Sequence, residues 1–164
     1  MGADVITTGN HCFKRRDSIG IYDDDNIIRP INFPDGCPGK GYCLIDCGCF
    51  SAAVVNLMGT VYMESLDNPF TVMENLLDSL KTPNIFVDFH AEATAEKKAM
   101  GHFLAGRVTA VLGTHTHVQT ADEIILKNHT GYITDAGMTG PELSVLGVSI
   151  DCLLYTSPSP RDPK

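Results

Sequence analysis

The sequence predicts an α/β domain in which short strands alternate with helices. Three observations predict it. β-Prone runs recur between segments of helical periodicity, and three of those runs end in polar motifs rich in histidine and asparagine. Composition is the third: 43% apolar and 20% charged residues over 164 positions fit one ordinary globular domain. No apolar run approaches the roughly 18–20 residues of a membrane span. Met1–Asp4 carry neither the basic start nor the apolar stretch of a secretion signal. Net charge is −8 and no stretch is basic enough to wrap a nucleic-acid duplex, so a phosphate ester would need a local cation such as a metal to hold it.

In chain order, Asp4–Thr8 is a short β-prone run stopped by Gly9. Cys12–Tyr22 is expected to form a short helix with Lys14, Arg15 and Arg16 in water. Asn26–Phe33 reads as a strand closed by Pro34-Asp35-Gly36, and Cys37–Gly41, with two glycines and a proline, as a loop. Tyr42–Ile45 and Phe50–Leu57 form a hairpin about a turn at Asp46–Gly48. Pro69–Leu80 places Phe70, Met73, Leu76, Leu77 and Leu80 on one helical face, with proline in the first turn. Asn84–Phe89 is a buried strand, Ala93–Ala105 a helix and Val108–Gly113 another buried strand. Gly131–Thr134 is a last short strand before the glycine-rich Asp135–Pro141.

The chemistry sits where strands end. Gly9-Asn10-His11 follows the first run, Asp88-Phe89-His90 ends another, and Gly113-Thr114-His115-Thr116-His117 follows a third. Ligand sites of layered α/β folds gather at the carboxyl ends of strands. Imidazole nitrogens beside an amide oxygen suit Fe, Mn or Zn better than Ca or Mg, and a donor set without cysteine is unlike a structural zinc site. In an extended His-x-His the two rings point to opposite sides, so each could serve a different ion. A lone strand-end histidine is more often an ordinary hydrogen-bonded residue; three such motifs together point to a site.

At these residues the sequence resembles a known family. Asn10-His11, Asp88–Thr94 and Gly113–Asp122 are similar to the later blocks of calcineurin-like metallophosphoesterases. Asn32-Phe33-Pro34, Pro38–Gly41 and Ile133–Pro141 narrow the resemblance to the bacterial 2′,3′-cyclic-nucleotide phosphodiesterases, over essentially all of residues 2–150. The resemblance implies a layered metallophosphoesterase fold and hydrolysis of cyclic nucleotides, 2′,3′-cyclic and also 3′,5′-cyclic. It implies two transition-metal ions, Fe or Mn ahead of Zn, about 3.5–4 Å apart. Asn10, His90 and His115 would bind one ion and His117 the other, with His11 protonating the leaving oxygen. It also implies that the family's carboxylate-bearing blocks lie upstream of residue 1 and its last strands downstream. The chain is therefore expected to be truncated at both ends and inactive alone. Lys14 stands where the family pattern carries an acid, which leaves the tuning of His11 open.

Two other readings stay open: a regulatory protein holding RNA ends or a partner in the same pocket, and a metal-dependent hydrolase of another phosphoester. The expected substrate is a cyclic nucleotide or small phosphodiester, without membrane association and with a homo-oligomer left open. Cys37, Cys43, Cys47 and Cys49 match no paired metal-knuckle spacing and are read as reduced thiols, which fit a reducing cytoplasm. His102 and His129 are read as surface residues. Arg107 and Asp88 are candidates to orient ligands, an ordinary ion pair being the alternative. Cys152–Asp162 resembles the in-frame translation of a sequencing adapter. Residues 1–151 are thus read as a partial domain and 152–164 as a non-native tail without consistent structure, a natural proline-rich linker being the alternative.

Overall fold

The computed structural model, which describes residues 2–156, begins with a two-residue strand, β1 (Ile6–Thr7), paired in parallel with β2 (Ile27–Ile28). The expected strand over Asn26–Phe33 shrinks to these two residues. Pro30 has no N–H to give a ladder, and on either side of it Arg29 and Ile31 hydrogen-bond singly to Lys40 and Asn56. The helix expected over Cys12–Tyr22 is corrected to a 3₁₀ helix at Arg16–Asp23. Residues 10–13 are instead a turn, closed by the N–H groups of Cys12 and Lys14 donating to Gly9 and His11.

The main sheet follows. β3 (Tyr42–Asp46) and β4 (Ser51–Met58) form the expected hairpin. Its turn holds Gly48 at φ 81°, with the Gly48 N–H donating to Asp46 Oδ1 at 2.8 Å. Helix α1 (Pro69–Ser79) then leads to β5 (Asn84–His90), and α2 (Thr94–Leu104) leads to β6 (Ala110–Thr114). Asn68 caps α1, its Oδ1 accepting from the N–H groups of Phe70 and Thr71. β7 (Ile124–Leu126), which the sequence pattern did not announce, and β8 (Thr130–Ile133) complete a sheet of order β3-β4-β5-β6-β8-β7. Its four inner strands run parallel and both edge strands antiparallel.

Strand periodicity decides which face is covered. Val55 and Leu57, then Ile85, Val87 and Phe89, then Val111 meet Met73 and Leu76 of α1 and Met100 and Leu104 of α2 in one core. The opposite face carries Val54, Phe86, Asp88, Leu112 and Ile133 in register and is partly open, with Phe86 and Leu112 exposed. A last helix, α3 (Ile150–Thr156), corrects the expectation that the tail lacks regular structure over residues 152–156. Residues 157–164 lie outside the described residues.

Candidate metal centre

β5 and β6 are parallel neighbours, so their last residues, His90 and Thr114, stand side by side at the carboxyl edge. The segment after β1 comes over that edge: the Asn56 amide on β4 donates to the Thr8 carbonyl and also approaches Asp88 Oδ2 at 3.4 Å. The other amide atom of Asn56, Oδ1, is buried without a partner among the described residues. Gly9 allows the approach, since a Cβ there would sit 2.4 Å from His90 Cε1 and Nε2. Three segments far apart in sequence thereby meet. His90 Nε2 lies 3.0 Å from Asn10 Oδ1 and 3.1 Å from His115 Nδ1, and the two imidazole rings are 4.8 Å apart, edge to face.

The surrounding hydrogen bonds decide where the protons are. Thr114 Oγ1 donates to Asp88 Oδ1 at 2.7 Å. Its hydroxyl proton is committed there, so it can only accept from His90 Nδ1, 3.0 Å away. A neutral His90 protonated on Nδ1 has a bare lone pair on Nε2. On the other ring, His115 Nε2 lies 3.1 Å from Glu92 Oε2, so Nε2 donates there, and in the neutral ring Nδ1 is then the bare nitrogen. Burial, then the neighbouring His115, holds the His90 pKa down at about 4, so that ring is neutral near neutral pH. Burial pushes the Asp88 carboxyl up, against hydrogen bonds from Thr7 and Thr114.

With both rings neutral in these tautomers, the lone pair of His90 Nε2 faces Asn10 Oδ1 at 3.0 Å on one side and His115 Nδ1 at 3.1 Å on the other. Two donors each about 2.1 Å from one ion and about 90° apart stand about 3.0 Å from each other. The two spacings about His90 Nε2 fit a shared cation, and so does the donor chemistry of the trio. Among the described residues no group of three His, Cys, Asp or Glu side chains gathers in this way; the trio is two imidazoles and an amide.

The other candidates lie around it. His11 is exposed and lines a cavity of about 240 Å³ with Asn10, Phe13, Lys14 and Glu64. His117 is exposed, and its side chain makes no hydrogen bond or ion pair with the trio. The extended His-x-His is corrected: His115 and His117 have φ of 109° and 66°, so strand alternation does not set their rings. Such backbone costs on the order of 1 kcal/mol or more per residue and persists where the surroundings impose it.

Asp88 does reach the site through Thr114, whereas Arg107 pairs with Glu74 of α1 at 2.7 Å, near the start of β6 and away from the edge that carries the site. Glu92 and Thr114, the partners of the two rings, lie inside the quoted motifs, but nothing in their spacing marks these roles. His102 and His129 are exposed, and Cys12, Cys37, Cys43, Cys47 and Cys49 form no disulfide among the described residues. Burial raises the Cys12 thiol to about 11, which leaves it protonated and unreactive.

Comparison with known proteins gives the same direction. Residues 1–158 match the family described as YmdB-like protein. A 2′,3′-cyclic-nucleotide 2′-phosphodiesterase of Bacillus subtilis (strain 168) is 47% identical over 156 residues, covering 93% of this chain and 59% of its own. The crystal structure of a hypothetical protein from Thermus thermophilus superposes with TM-score 0.88 at 41% identity, over 94% of this chain and 61% of that one. A novel phosphatase from Mycoplasma pneumoniae superposes with TM-score 0.83 at 33% identity, over 98% and 61%. The chain thus spans under two thirds of the length of each of these relatives. Its mixed α/β architecture about a central sheet is the metallophosphoesterase fold.

Proposed function

This chain belongs to the YmdB-like family of phosphoesterases, and from that premise we propose that it forms part of a metal-dependent phosphodiesterase of cyclic nucleotides. The carrying observation is that His90 Nε2 lies within about 3 Å of both Asn10 Oδ1 and His115 Nδ1. In this reading these three hold one transition-metal ion, Fe or Mn ahead of Zn, and His117 contributes to a second. Two such ions supply an activated water at neutral pH and neutralise charge on the phosphate.

The chain's own groups do the rest. Asp88, through Thr114, keeps His90 in the tautomer a ligand needs, and Glu92 does the same for His115. His11, exposed beside Asn10, is placed to protonate the leaving oxygen of the ester. The adjoining cavity, with Lys14 and Glu64 in its wall, takes part of the nucleoside. The proposed substrate is a 2′,3′-cyclic nucleotide, with 3′,5′-cyclic nucleotides as further candidates. Support comes from the activity of the Bacillus relative, a 2′,3′-cyclic-nucleotide 2′-phosphodiesterase. Cys12, Cys37, Cys43, Cys47 and Cys49, which form no disulfide among the described residues, support a reducing compartment such as the cytoplasm, and no helix among the described residues is long and apolar enough to cross a membrane.

Two cations held close together need a bridging carboxylate to offset their repulsion. The three carboxylates tied to the site by hydrogen bonds are engaged: Asp88 by Thr114, Glu92 by His115 and Asp135 by Lys97. We therefore expect residues 1–164 to take up at most one ion, weakly, and to hydrolyse 2′,3′-cyclic AMP far more slowly than the full-length Bacillus relative. Metal content and initial rates with added Mn²⁺, measured side by side, test this. Equal rates would overturn the two-ion assignment, and no metal uptake would overturn the site.

A further inference from the structure

Asp135 and Lys97 are each 1% exposed, and Lys97 Nζ lies 2.7 Å from Asp135 Oδ2. Taking two charges out of water is costly, and packing alone would be served as well by apolar residues of similar size. What the pair touches gives it a further role. The same Oδ2 accepts from the Thr116 N–H at 3.0 Å and from its hydroxyl at 2.8 Å. Oδ1 accepts from the Gly137 N–H at 2.9 Å. The backbone of Asp135 meanwhile binds the other end of the same loop: its carbonyl accepts from Thr120 N–H, and its N–H donates to Thr120 Oγ1, both at 3.0 Å. One residue thus grips the 115–120 loop at both ends, and Lys97 ties that grip to α2, which follows His90 and Glu92 directly.

Thr116 is the residue between His115 and His117, the two histidines whose backbone is left-handed, at φ 109° and 66°. We propose that the buried Lys97–Asp135 pair is the positioning device of this loop, fixing the Thr116 peptide so that His115 is presented to His90 and Asn10 before any ligand arrives. Asp135 and Lys97 touch neither the donor trio nor substrate; they act through Thr116. The cation half of this inference rests on the metal reading above, while the loop half does not.

The test uses the 164-residue chain and four variants, with melting temperature and circular dichroism as controls for folding. Co²⁺ affinity is read by visible absorption, and the imidazole resonances of His90 and His115 are recorded without metal. Lys97→Met/Asp135→Leu removes both charges and the acceptor. It should bind Co²⁺ about 10–100-fold more weakly, the usual range for losing a group that orients a ligand, and should shift or broaden the His115 signals. Lys97→Met/Asp135→Asn keeps an acceptor for Thr116 but loses the tie to α2, and should recover only part of the affinity. Thr116→Val, at an exposed position, should weaken Co²⁺ binding severalfold, and Thr116→Ser should restore it.

A folded Lys97→Met/Asp135→Leu chain with wild-type affinity and unchanged His115 signals overturns the proposal. If that variant does not fold, wild-type Co²⁺ affinity in Thr116→Val overturns it instead. Should the wild-type chain take up no Co²⁺, the metal reading falls. The metal-free imidazole spectra of Thr116→Val then decide the loop half, and spectra matching the wild type overturn it.

Discussion

Any residue other than glycine at position 9 would begin its side chain inside the His90 ring, 2.4 Å from Cε1 and Nε2. Gly9→Ala must therefore push that ring aside or lift the Asn10 turn off the sheet. Either way His90 Nε2 and Asn10 Oδ1 separate, while the core beneath, built on Phe89 and its neighbours, is untouched. We predict that Gly9→Ala abolishes saturable Co²⁺ binding and lowers the melting temperature by only a few degrees. A variant with full affinity would show that the trio is not the site. Asn10, His90 and His115 were legible in the sequence because each follows a β-prone run and strand ends collect ligands. The tautomer-setting role of Thr114, Asp88 and Glu92 was not legible, since it depends on which proton each ring nitrogen gives away. The Lys97–Asp135 pair was not legible either: its members are 38 positions apart, and only the packing of α2 against the end of β8 joins them.

At the scale of elements, the helices and inner strands followed from periodicity and apolar runs, and the hairpin from its turn residues. β1 and β2 came out shorter than expected because Pro30 ends the ladder, and three-residue β7 is too short to carry a pattern of its own. Asp122, just ahead of β7, ties the 115–120 loop to the end of β8: it accepts from Thr120 Oγ1 at 2.7 Å, from Thr134 N–H at 3.1 Å and from the Thr134 hydroxyl. Those bonds, Thr134's first and then Thr120's, hold the Asp122 carboxyl down at about 2. Unfolded, it titrates at about 3.9. A folded pKa below the unfolded one gives stability that is complete above about pH 4 and lost as pH falls toward about 2. Urea unfolding should therefore show Asp122→Asn less stable than wild type at neutral pH, with the gap closing below about pH 3. A gap independent of pH would mean that these hydrogen bonds do not depend on the carboxylate charge.

Across the whole molecule, one sheet face is packed by two helices and the other is partly bare. Leu112 is 42% exposed and Ile125 62% exposed, and both line an apolar groove of about 410 Å³ with Ile124 and Ile133. Bare apolar surface of this kind binds hydrophobic dyes. The folded chain should therefore brighten 8-anilinonaphthalene-1-sulfonate, and Leu112→Lys/Ile125→Lys should cut that signal without changing circular dichroism; an unchanged signal would place the dye elsewhere. The larger claim is that the fold carries three distant segments to one carboxyl edge and leaves the His90 Nε2 lone pair facing both Asn10 Oδ1 and His115 Nδ1. Long-range ¹H–¹⁵N correlation of the imidazoles, before and after Zn²⁺ is added, tests it most directly. The account predicts His90 protonated on Nδ1 in the metal-free chain, then Zn²⁺ moving His90 Nε2 and His115 Nδ1 together while His115 Nε2 keeps its proton. His90 protonated on Nε2 in the metal-free chain, or Zn²⁺ leaving both rings unmoved, would contradict it.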